Sequence, residues 1–221
     1  MAFPTVISTT PGTDNSGGTA GVTVTLPSCS ANDILVFVSC ARGAWINSGS
    51  FSTPSGWTNA VIALARFSWK LADGTEGGTS VTFGDNGNAE YFAWHVIVVG
   101  SATGTPELAG PNTETDTPPS LTPSWGALDT LWMTFTADTH GSGDSGKITA
   151  YPANFTHSQM EAATGGFNDA SCAAGFRQQN TATQSPGDWA STGGPFDKTW
   201  TVAFKPAQPV PPTSMFAGII G

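Results

Sequence analysis

The chain has 221 residues, with seven lysines and arginines against 16 aspartates and glutamates and a formal net charge of −9. Its 27 glycines and 16 prolines are combined with eight tryptophans and 13 phenylalanines, which supply enough burial to exclude a disordered chain. The few cations form no cluster, so the composition disfavours nucleic-acid binding. No apolar run reaches the roughly 18 residues that a membrane helix needs.

Residues 1–19 are predicted to form a strand from Phe3 to Thr9, followed by a loop rich in turn residues. The first residues lack the basic and apolar regions of a secretion signal. We therefore expect synthesis in a cytoplasm and no partner in the membrane.

Three apolar patterns predict strands in the first half of the chain. The runs 34–38 and 91–99 are apolar on both faces, which predicts central strands that are covered on each side. Residues 61–71 alternate between apolar and polar side chains, which predicts one strand. Its polar face, which carries Arg66 and Ser68, is expected to lie in water.

A stretch of the first half recurs in the second half. Residues 25–39, TLPSCSANDILVFVS, and residues 121–135, LTPSWGALDTLWMTF, share the spacing of a proline, a serine, an aspartate and a leucine. In this register Leu35 matches Leu131. The motifs PSGWT and PANFT then follow the two copies, so the pattern predicts two copies of one β unit.

The repeat and the composition divide the chain into five parts: 1–19, an N-terminal strand and loop; 20–100, the first β unit; 101–119, a connector rich in Thr, Pro and Gly; 120–205, the second β unit; and 206–221, a Pro-rich C-terminal arm. The predicted fold class is all-β, an antiparallel β-sandwich of jelly-roll type built from the two repeated units. A unit of four or five strands has one apolar face to bury, which favours a single sandwich of both units. Two abutting sandwiches are the alternative.

No motif for catalysis, metal binding or a cofactor accompanies the strands, so we predict a protein that is not an enzyme and holds no metal or cofactor. Carboxylates such as Glu76 lie in predicted turns, where solvated residues are typical. His95 lies inside a buried run and is predicted to be a core histidine. Cys29, Cys40 and Cys172 lack zinc-site spacing and are predicted to be small buried hydrophobes, with a bridge between the first two left open.

Tryptophan supplies the remaining candidate sites, because exposed aromatic rings stack on sugars. Five of the eight tryptophans fall on predicted strands or at repeat-matched positions, where core packing explains them. The other three lie in predicted loops and are the candidate glycan-binding residues: Trp45, Trp125 and Trp189. For Trp45 the alternative is that its ring covers an open end of the sandwich.

The succession of PSGWT at 54–58, FSWKLADGTE at 67–76, a short Thr/Val/Phe strand and an aliphatic strand with Trp resembles structural proteins of tailed bacteriophages and prophages. The likeness covers most of residues 20–206. It implies a β-sandwich virion component, made in the host bacterial cytoplasm: a capsid decoration or minor capsid protein, or a tail or appendage subunit. It implies other virion proteins and further copies of the chain as partners, and it supplies no catalytic residues.

The leading hypothesis is therefore a non-enzymatic virion protein that acts through protein–protein contacts. The alternative is a carbohydrate-binding module on a virion tail that recognises host surface glycans. A third hypothesis, a glycan-degrading enzyme, needs two carboxylates held across a sugar, which spacing alone does not pair.

The C-terminal arm is predicted to bind a partner. Residues 206–212 are rich in proline and form an extended spacer that reaches roughly 22 Å at about 3.1 Å per residue. The apolar residues beyond it are predicted to anchor in a neighbouring subunit: Met215, Phe216, Ile219 and Ile220. The alternative is that the arm folds back on its own sandwich.

Overall fold

The described part of the chain consists of β-strands and the turns that join them. This computed structural model describes residues 2–14, 19–42, 52–62, 65–89, 91–141, 148–156, 160–163, 168–191 and 198–208. The strands are β1, Thr5–Asp14; β2, Thr19–Thr25; β3, Ile34–Arg42; β4, Thr58–Ile62; β5, Ala65–Leu71; β6, Ser80–Ala89; β7, Tyr91–Gly100; β8, Glu107–Thr113; β9, Leu128–Gly141; β10, Ile148–Ala150; β11, Met160–Ala163; β12, Asn168–Thr181; β13, Ala190–Ser191; and β14, Lys198–Phe204. Within these ranges no helix is long and apolar enough to cross a membrane.

Most of these strands form two five-stranded antiparallel sheets. The first sheet has the strand order β1-β7-β3-β5-β4, and the second, read from β8, has the order β8-β14-β9-β12-β11. Strand β8 thus takes the place in the second sheet that β1 takes in the first, and the other strands follow in the same sequence. Two smaller pairs, β2 with β6 and β10 with β13, lie outside the five-stranded sheets.

The two five-stranded sheets pack face to face and enclose the main hydrophobic core. Strand β12 of the second sheet lies across β3 and β7 of the first. Both sheets contribute side chains to this core, among them Val36, Phe67 and Ile97 from the first and Met133 and Phe135 from the second. The all-β, antiparallel sandwich is therefore confirmed, whereas the jelly-roll type and the duplication of the two units stay predictions.

The outer face of the first sheet is apolar and is covered by the β2–β6 pair. Leu35 and Phe37 of β3 pack there with Val24 and Phe83, and the rings of Phe37 and Phe83 stack with their centroids 3.7 Å apart. This layer confirms the prediction that the run 34–38 is covered on both faces.

The same layer buries polar residues that the strand pattern placed in water. Arg66 and Ser68 of β5 are buried. Arg66 Nη2 donates to the carbonyl oxygens of Gly84, at 2.8 Å, and Ser52, at 3.2 Å. The guanidinium also lies 5.7 Å from the centroid of the Phe83 ring. The predicted solvent-facing side of β5 was wrong at these residues because the β2–β6 pair supplies a covering layer.

The outer face of the second sheet is rich in threonine and is covered by the connector. The Oγ1 atoms of Thr199 and Thr201 donate to the carbonyl oxygens of Thr117, at 3.2 Å, and Pro119, at 2.6 Å. These bonds satisfy buried hydroxyl groups and hold the connector against β14. On this face the hydrogen bonds accompany aromatic packing, which includes Trp132 and Trp189.

Three predicted segments differ from the structure. Residues 61–71 were predicted as one strand, but β4 and β5 form an antiparallel pair there. The connector 101–119 contains β8, the edge strand that pairs with β14. Strand β1 continues to Asp14 through the predicted loop because it pairs with β7 along its length. Strands β1 and β8 pair with partners that are distant in sequence, whereas β4 and β5 pair across a short connection. Local composition reports none of these pairings.

The structure places the two leucines of the predicted repeat on different faces. Leu35 belongs to the outer face of the first sheet, whereas Leu131 belongs to the core between the sheets. Ile34, one residue before Leu35, belongs to that core and pairs with Leu71 of β5, and Leu131 pairs with Gln178 of β12. A shift of one residue exchanges the two faces of a strand, so the core positions correspond when Ile34 and not Leu35 is matched with Leu131.

Candidate functional site

The first and last described residues lie at the same end of the sandwich, which we call the terminal end. Strand β1 begins there beside the end of β7, and β14 ends there at Phe204. Gln178 Nε2 donates to the carbonyl oxygen of Pro4 at 2.8 Å and so ties the N-terminal residues to β12. Thr103 N donates to the carbonyl oxygen of Lys205 at 2.9 Å and ties the residues after β14 to the connector.

Two grooves open at the terminal end, one beside each five-stranded sheet. The first-sheet groove has a volume of about 280 Å³ and is lined by Ile34, Gly56, Thr58, Trp69, Lys70, Leu71, Gly104 and Thr105. The second-sheet groove has a volume of about 460 Å³ and is lined by Val6, Leu131, Asn154, Thr156, Phe176, Arg177 and Gln178. Pockets for drug-sized ligands usually measure roughly 300–1,000 Å³, so both grooves have room for only a few side chains or one small ligand.

The two grooves occupy equivalent places in their sheets. In each, the same two strand pairings carry four lining residues: Thr58 opposite Trp69 and Ile34 opposite Leu71 in the first sheet, and Thr156 opposite Phe176 and Leu131 opposite Gln178 in the second. The motifs PSGWT and PANFT supply the turn beside each groove. The framework of one groove is therefore repeated in the other.

Three equivalent positions differ in chemistry between the grooves: Leu71 against Gln178, Lys70 against Arg177, and Gly56 against Asn154. Leu71 is 54% exposed, a high value for a large apolar side chain. Gly56 and Asn154 both have a positive φ, 80° and 66°, which a turn requires and which glycine and asparagine tolerate best. The sequence interpretation assigned none of these residues to a site, although the two PSGWT-like motifs marked the turns.

A buried carboxylate neutralises the cation of the first-sheet groove. Lys70 Nζ lies 2.8 Å from Glu76 Oε1, and Glu76 is only 5% exposed. Burial alone raises the pKa of Glu76, but hydrogen bonds from Lys70 and from the backbone N–H groups of Asp73 and Gly74 outweigh it and lower the pKa to about 2. The prediction that Glu76 is a solvated turn residue was wrong, because the β5–β6 turn folds around this carboxylate.

Cys29 lies against the same carboxylate, with its Sγ 3.7 Å from Glu76 Oε2. Burial, and then the negative charge of Glu76, raise the pKa of the Cys29 thiol. Cys29, Cys40 and Cys172 are all free, so the bridge that the sequence left open does not form. Cys40 and Cys172 are buried, as predicted, whereas Cys29 is half-buried.

The cation of the second-sheet groove has a different environment. The Arg177 guanidinium forms no hydrogen bond or ion pair with another residue of the described ranges. The polar groups that share its groove are the amides of Asn154 and Gln178 and the hydroxyl of Thr156. A planar guanidinium beside amides and a hydroxyl has the donors that bind carboxylates and sugar hydroxyls.

The structure describes two of the three candidate glycan-binding tryptophans. Trp125 is half-buried; its Nε1 donates to Thr130 Oγ1 at 3.1 Å, and Lys205 Nζ lies 6.0 Å from its ring centroid. Trp189 is only 2% exposed, contrary to its position in a predicted loop, so a sugar would reach this ring only after its cover moved. Trp45 lies outside the described residues. Glycan binding by these residues stays a prediction.

The predicted anchor of the arm lies outside the described residues: Met215, Phe216, Ile219 and Ile220. The structure follows the arm as far as Gln208. Pro206 is buried and forms an antiparallel bridge with Ala102, and Ala207 N donates to the carbonyl oxygen of Ser101 at 2.9 Å. Pro206 and Ala207, predicted to be the start of an extended spacer, are therefore held against the connector.

His95 is buried, as predicted, with Nε2 3.3 Å from the carbonyl oxygen of Cys172. Across the described ranges, no three His, Cys, Asp or Glu side chains are grouped as they would be around a metal ion. The chain matches no model of a known protein family, no curated protein and no solved structure.

Proposed function

We propose that the protein is a non-enzymatic structural component of a tailed-bacteriophage virion, either a capsid decoration or minor capsid protein or a tail appendage subunit. It acts through contacts with other virion proteins and with further copies of itself. The observation that carries this proposal is that the N-terminal residues and the arm meet the sandwich at one end, beside two grooves and the exposed Leu71. The resemblance of residues 20–206 to phage structural proteins supplies the class of particle.

The body and the arm suit two different tasks. Both five-stranded sheets are covered on both faces, so the body is a compact unit with little apolar surface to lose. The arm carries four apolar side chains after a Pro-rich spacer. Burying four such side chains contributes on the order of 6 to 10 kcal/mol before the cost of ordering the arm, far more than the roughly 1 kcal/mol of a surface ion pair.

The test uses particles grown with the full chain or with residues 209–221 deleted. We expect the full chain to copurify with particles at fixed stoichiometry and the truncated chain to be absent, while particles without the protein show a missing feature in electron micrographs. Full occupancy of particles by the truncated chain, or absence of the full chain from particles, would overturn the proposal.

The alternative function, recognition of host surface glycans, is favoured by one observation. The second-sheet groove combines a guanidinium that has no partner in the described part of the chain, two amides and a hydroxyl with an apolar floor that includes Leu131 and Phe176. Carbohydrate sites use the same combination of polar donors and apolar contact. An acidic sugar fits this groove best, because its carboxylate would pair with Arg177.

A glycan array probed with the full chain tests this alternative. Binding that disappears in Arg177→Ala and persists in Lys198→Ala, a cation outside the grooves, would support the second-sheet groove. Binding that disappears in Trp125→Ala alone would place the glycan at the predicted tryptophan instead. No binding to any acidic glycan would exclude this alternative.

A further inference from the structure

We propose that the first-sheet groove binds the C-terminal arm of a second copy of this chain. The arm contributes the apolar residues between positions 215 and 220, and the groove contributes Trp69 and Leu71 as its main contacts. This inference rests on the proposed function, in that it names the surface through which copies of the protein contact one another.

The lining of the groove is suited to an apolar segment. Leu71 is 54% exposed and Trp69 is half-buried, and Ile34 lies between them and the core. The charge of Lys70 is already paired with the Glu76 carboxylate at 2.8 Å. An apolar side chain can therefore cover this surface without leaving a cation buried and unpaired.

The direction of the chain favours a second copy as the source of the arm. Residues 205–207 run antiparallel to 101–103, with Lys205 beside Thr103 and Ala207 beside Ser101. The groove is lined by the next residues on the Thr103 side, Gly104 and Thr105. At Ala207 the arm thus lies beside Ser101, three residues before the groove residue Gly104.

The composition of the spacer makes a return to the same groove harder. Pro209, Pro211 and Pro212 restrict the chain to extended conformations. Seven residues from Gln208 to Met215 reach roughly 22 Å at about 3.1 Å each, which is enough to span to a neighbouring body. A sharp reversal within this stretch is disfavoured, whereas an extended crossing is not.

The second-sheet groove is a poor site for the same segment. Gln178 occupies the position of Leu71, and Arg177 has no carboxylate partner among the described residues. An apolar arm would bury this guanidinium without a partner, which is unfavourable. The two grooves of one chain therefore have different occupants, although their frameworks are equivalent.

An arm in the groove of the next copy makes a heterologous contact, in which two different surfaces meet. Such contacts propagate from copy to copy and close into a ring when the rotation between neighbours allows it. Each chain offers one arm and one first-sheet groove. In a ring every arm is therefore bound and every first-sheet groove is occupied.

The first test measures self-association of the full chain by sedimentation velocity. Leu71→Gln gives position 71 the glutamine that the second-sheet groove has at position 178. We expect this variant to weaken self-association at least about tenfold. Ile7→Gln is the matched control, because Ile7 is 55% exposed but lies outside both grooves; it should leave association unchanged. Circular dichroism and the thermal midpoint establish that both variants are folded. Equal association of Leu71→Gln and the parent chain would overturn the inference.

A mixing experiment distinguishes the arm of a second copy from the chain's own arm. Leu71→Gln retains the arm and removes the main apolar contact of the groove. Ile219→Asp retains the groove and places a charge in the apolar anchor. Neither variant should associate with itself, and an equimolar mixture should form a heterodimer. A mixture that stays monomeric overturns the inference, as does a parent chain that is monomeric at all concentrations. Incorporation into particles, measured separately, decides the proposed function whatever the mixture does.

Discussion

The two grooves at the terminal end share a framework and differ in the side chains placed on it. Both are bounded by a turn residue with positive φ, a threonine opposite an aromatic ring, and a cation one residue beyond that ring. The first-sheet groove is apolar with its cation paired, and the second-sheet groove is polar with its cation unpaired among the described residues. Strand pairing thus sets where the positions are, and a few side chains decide what each groove can bind.

The largest difference in stability between the two grooves should appear when the aromatic ring of each is removed. Phe176 is 7% exposed and belongs to the core between the sheets, whereas Trp69 is half-buried at its margin. We expect Phe176→Ala to lower the free energy of unfolding by about 3–5 kcal/mol and Trp69→Ala by about 1–2 kcal/mol, because less of its surface is buried. Urea denaturation of the two variants measures both values.

Phe155→Ala serves as a control for a buried ring outside the grooves. It should lower the free energy of unfolding about as much as Phe176→Ala does. Equal losses for Phe176→Ala and Trp69→Ala would contradict the view that one ring is core and the other is a binding surface.

The second prediction removes the carboxylate that neutralises Lys70. Glu76→Gln loses an ion pair and charged hydrogen bonds from Asp73 and Gly74, so we expect a loss of about 2 kcal/mol at neutral pH. The folded-state pKa of Glu76, about 2, lies below its ordinary value of 4.5. Its stabilising contribution is therefore present above about pH 4.5 and is lost as the pH falls towards 2.

Unfolding free energies of the parent chain and Glu76→Gln between pH 2 and 7 test this. The difference between them should be constant above pH 4.5 and shrink below it. Glu114→Gln, at an exposed turn carboxylate, is the matched control and should change the free energy of unfolding at neutral pH by no more than about 0.5 kcal/mol. A difference that does not vary with pH would show that the carboxylate acts by shape and not by charge.

Sequence patterns predicted the centre of the sandwich well. The runs 34–38 and 91–99 were apolar on both faces, and the structure covers both faces of β3 and β7. Long apolar runs carry this information locally, because both faces of such a strand must be buried wherever its partners come from. His95 was predicted to be buried and is. Of the three cysteines predicted to be buried, Cys40 and Cys172 are and Cys29 is half-buried.

The grooves could not be predicted in the same way, because their chemistry depends on residues that meet through pairing. Arg66 was predicted to face solvent, but β6 covers it. Glu76 was predicted to be solvated, but the backbone of its own turn buries it. The repeat came nearest, since PSGWT and PANFT mark both turns. Its register matches Leu131 with Leu35, which lies on the other face of its strand, and not with the groove residue Ile34.

A smaller effect should distinguish the two turn residues. Gly56 has φ 80° and Asn154 has φ 66°. Gly56→Ala should lower the free energy of unfolding by about 1 kcal/mol, because alanine tolerates a positive φ poorly. Gly56→Asn should lower it by roughly half as much, because asparagine is enriched in this conformation. A Cβ at Gly56 would lie 3.7 Å from Lys70 Cε, an ordinary contact, so the backbone and not a clash sets the cost. Thermal unfolding measures both variants, and equal losses would contradict the prediction.

The smallest effect on stability is expected at the cation of the second-sheet groove. Arg177→Ala removes a guanidinium that has no partner in the described ranges, so the free energy of unfolding should change by no more than about 0.5 kcal/mol. The equivalent change in the first sheet, Lys70→Ala, leaves the buried Glu76 without its ammonium group and should cost about 2 kcal/mol. Denaturant unfolding at pH 7 compares the two variants. At pH 2, where Glu76 is about half protonated, the difference between their unfolding free energies should be smaller. Substantial destabilisation by Arg177→Ala would mean that this guanidinium holds the fold together and is not kept available for a ligand.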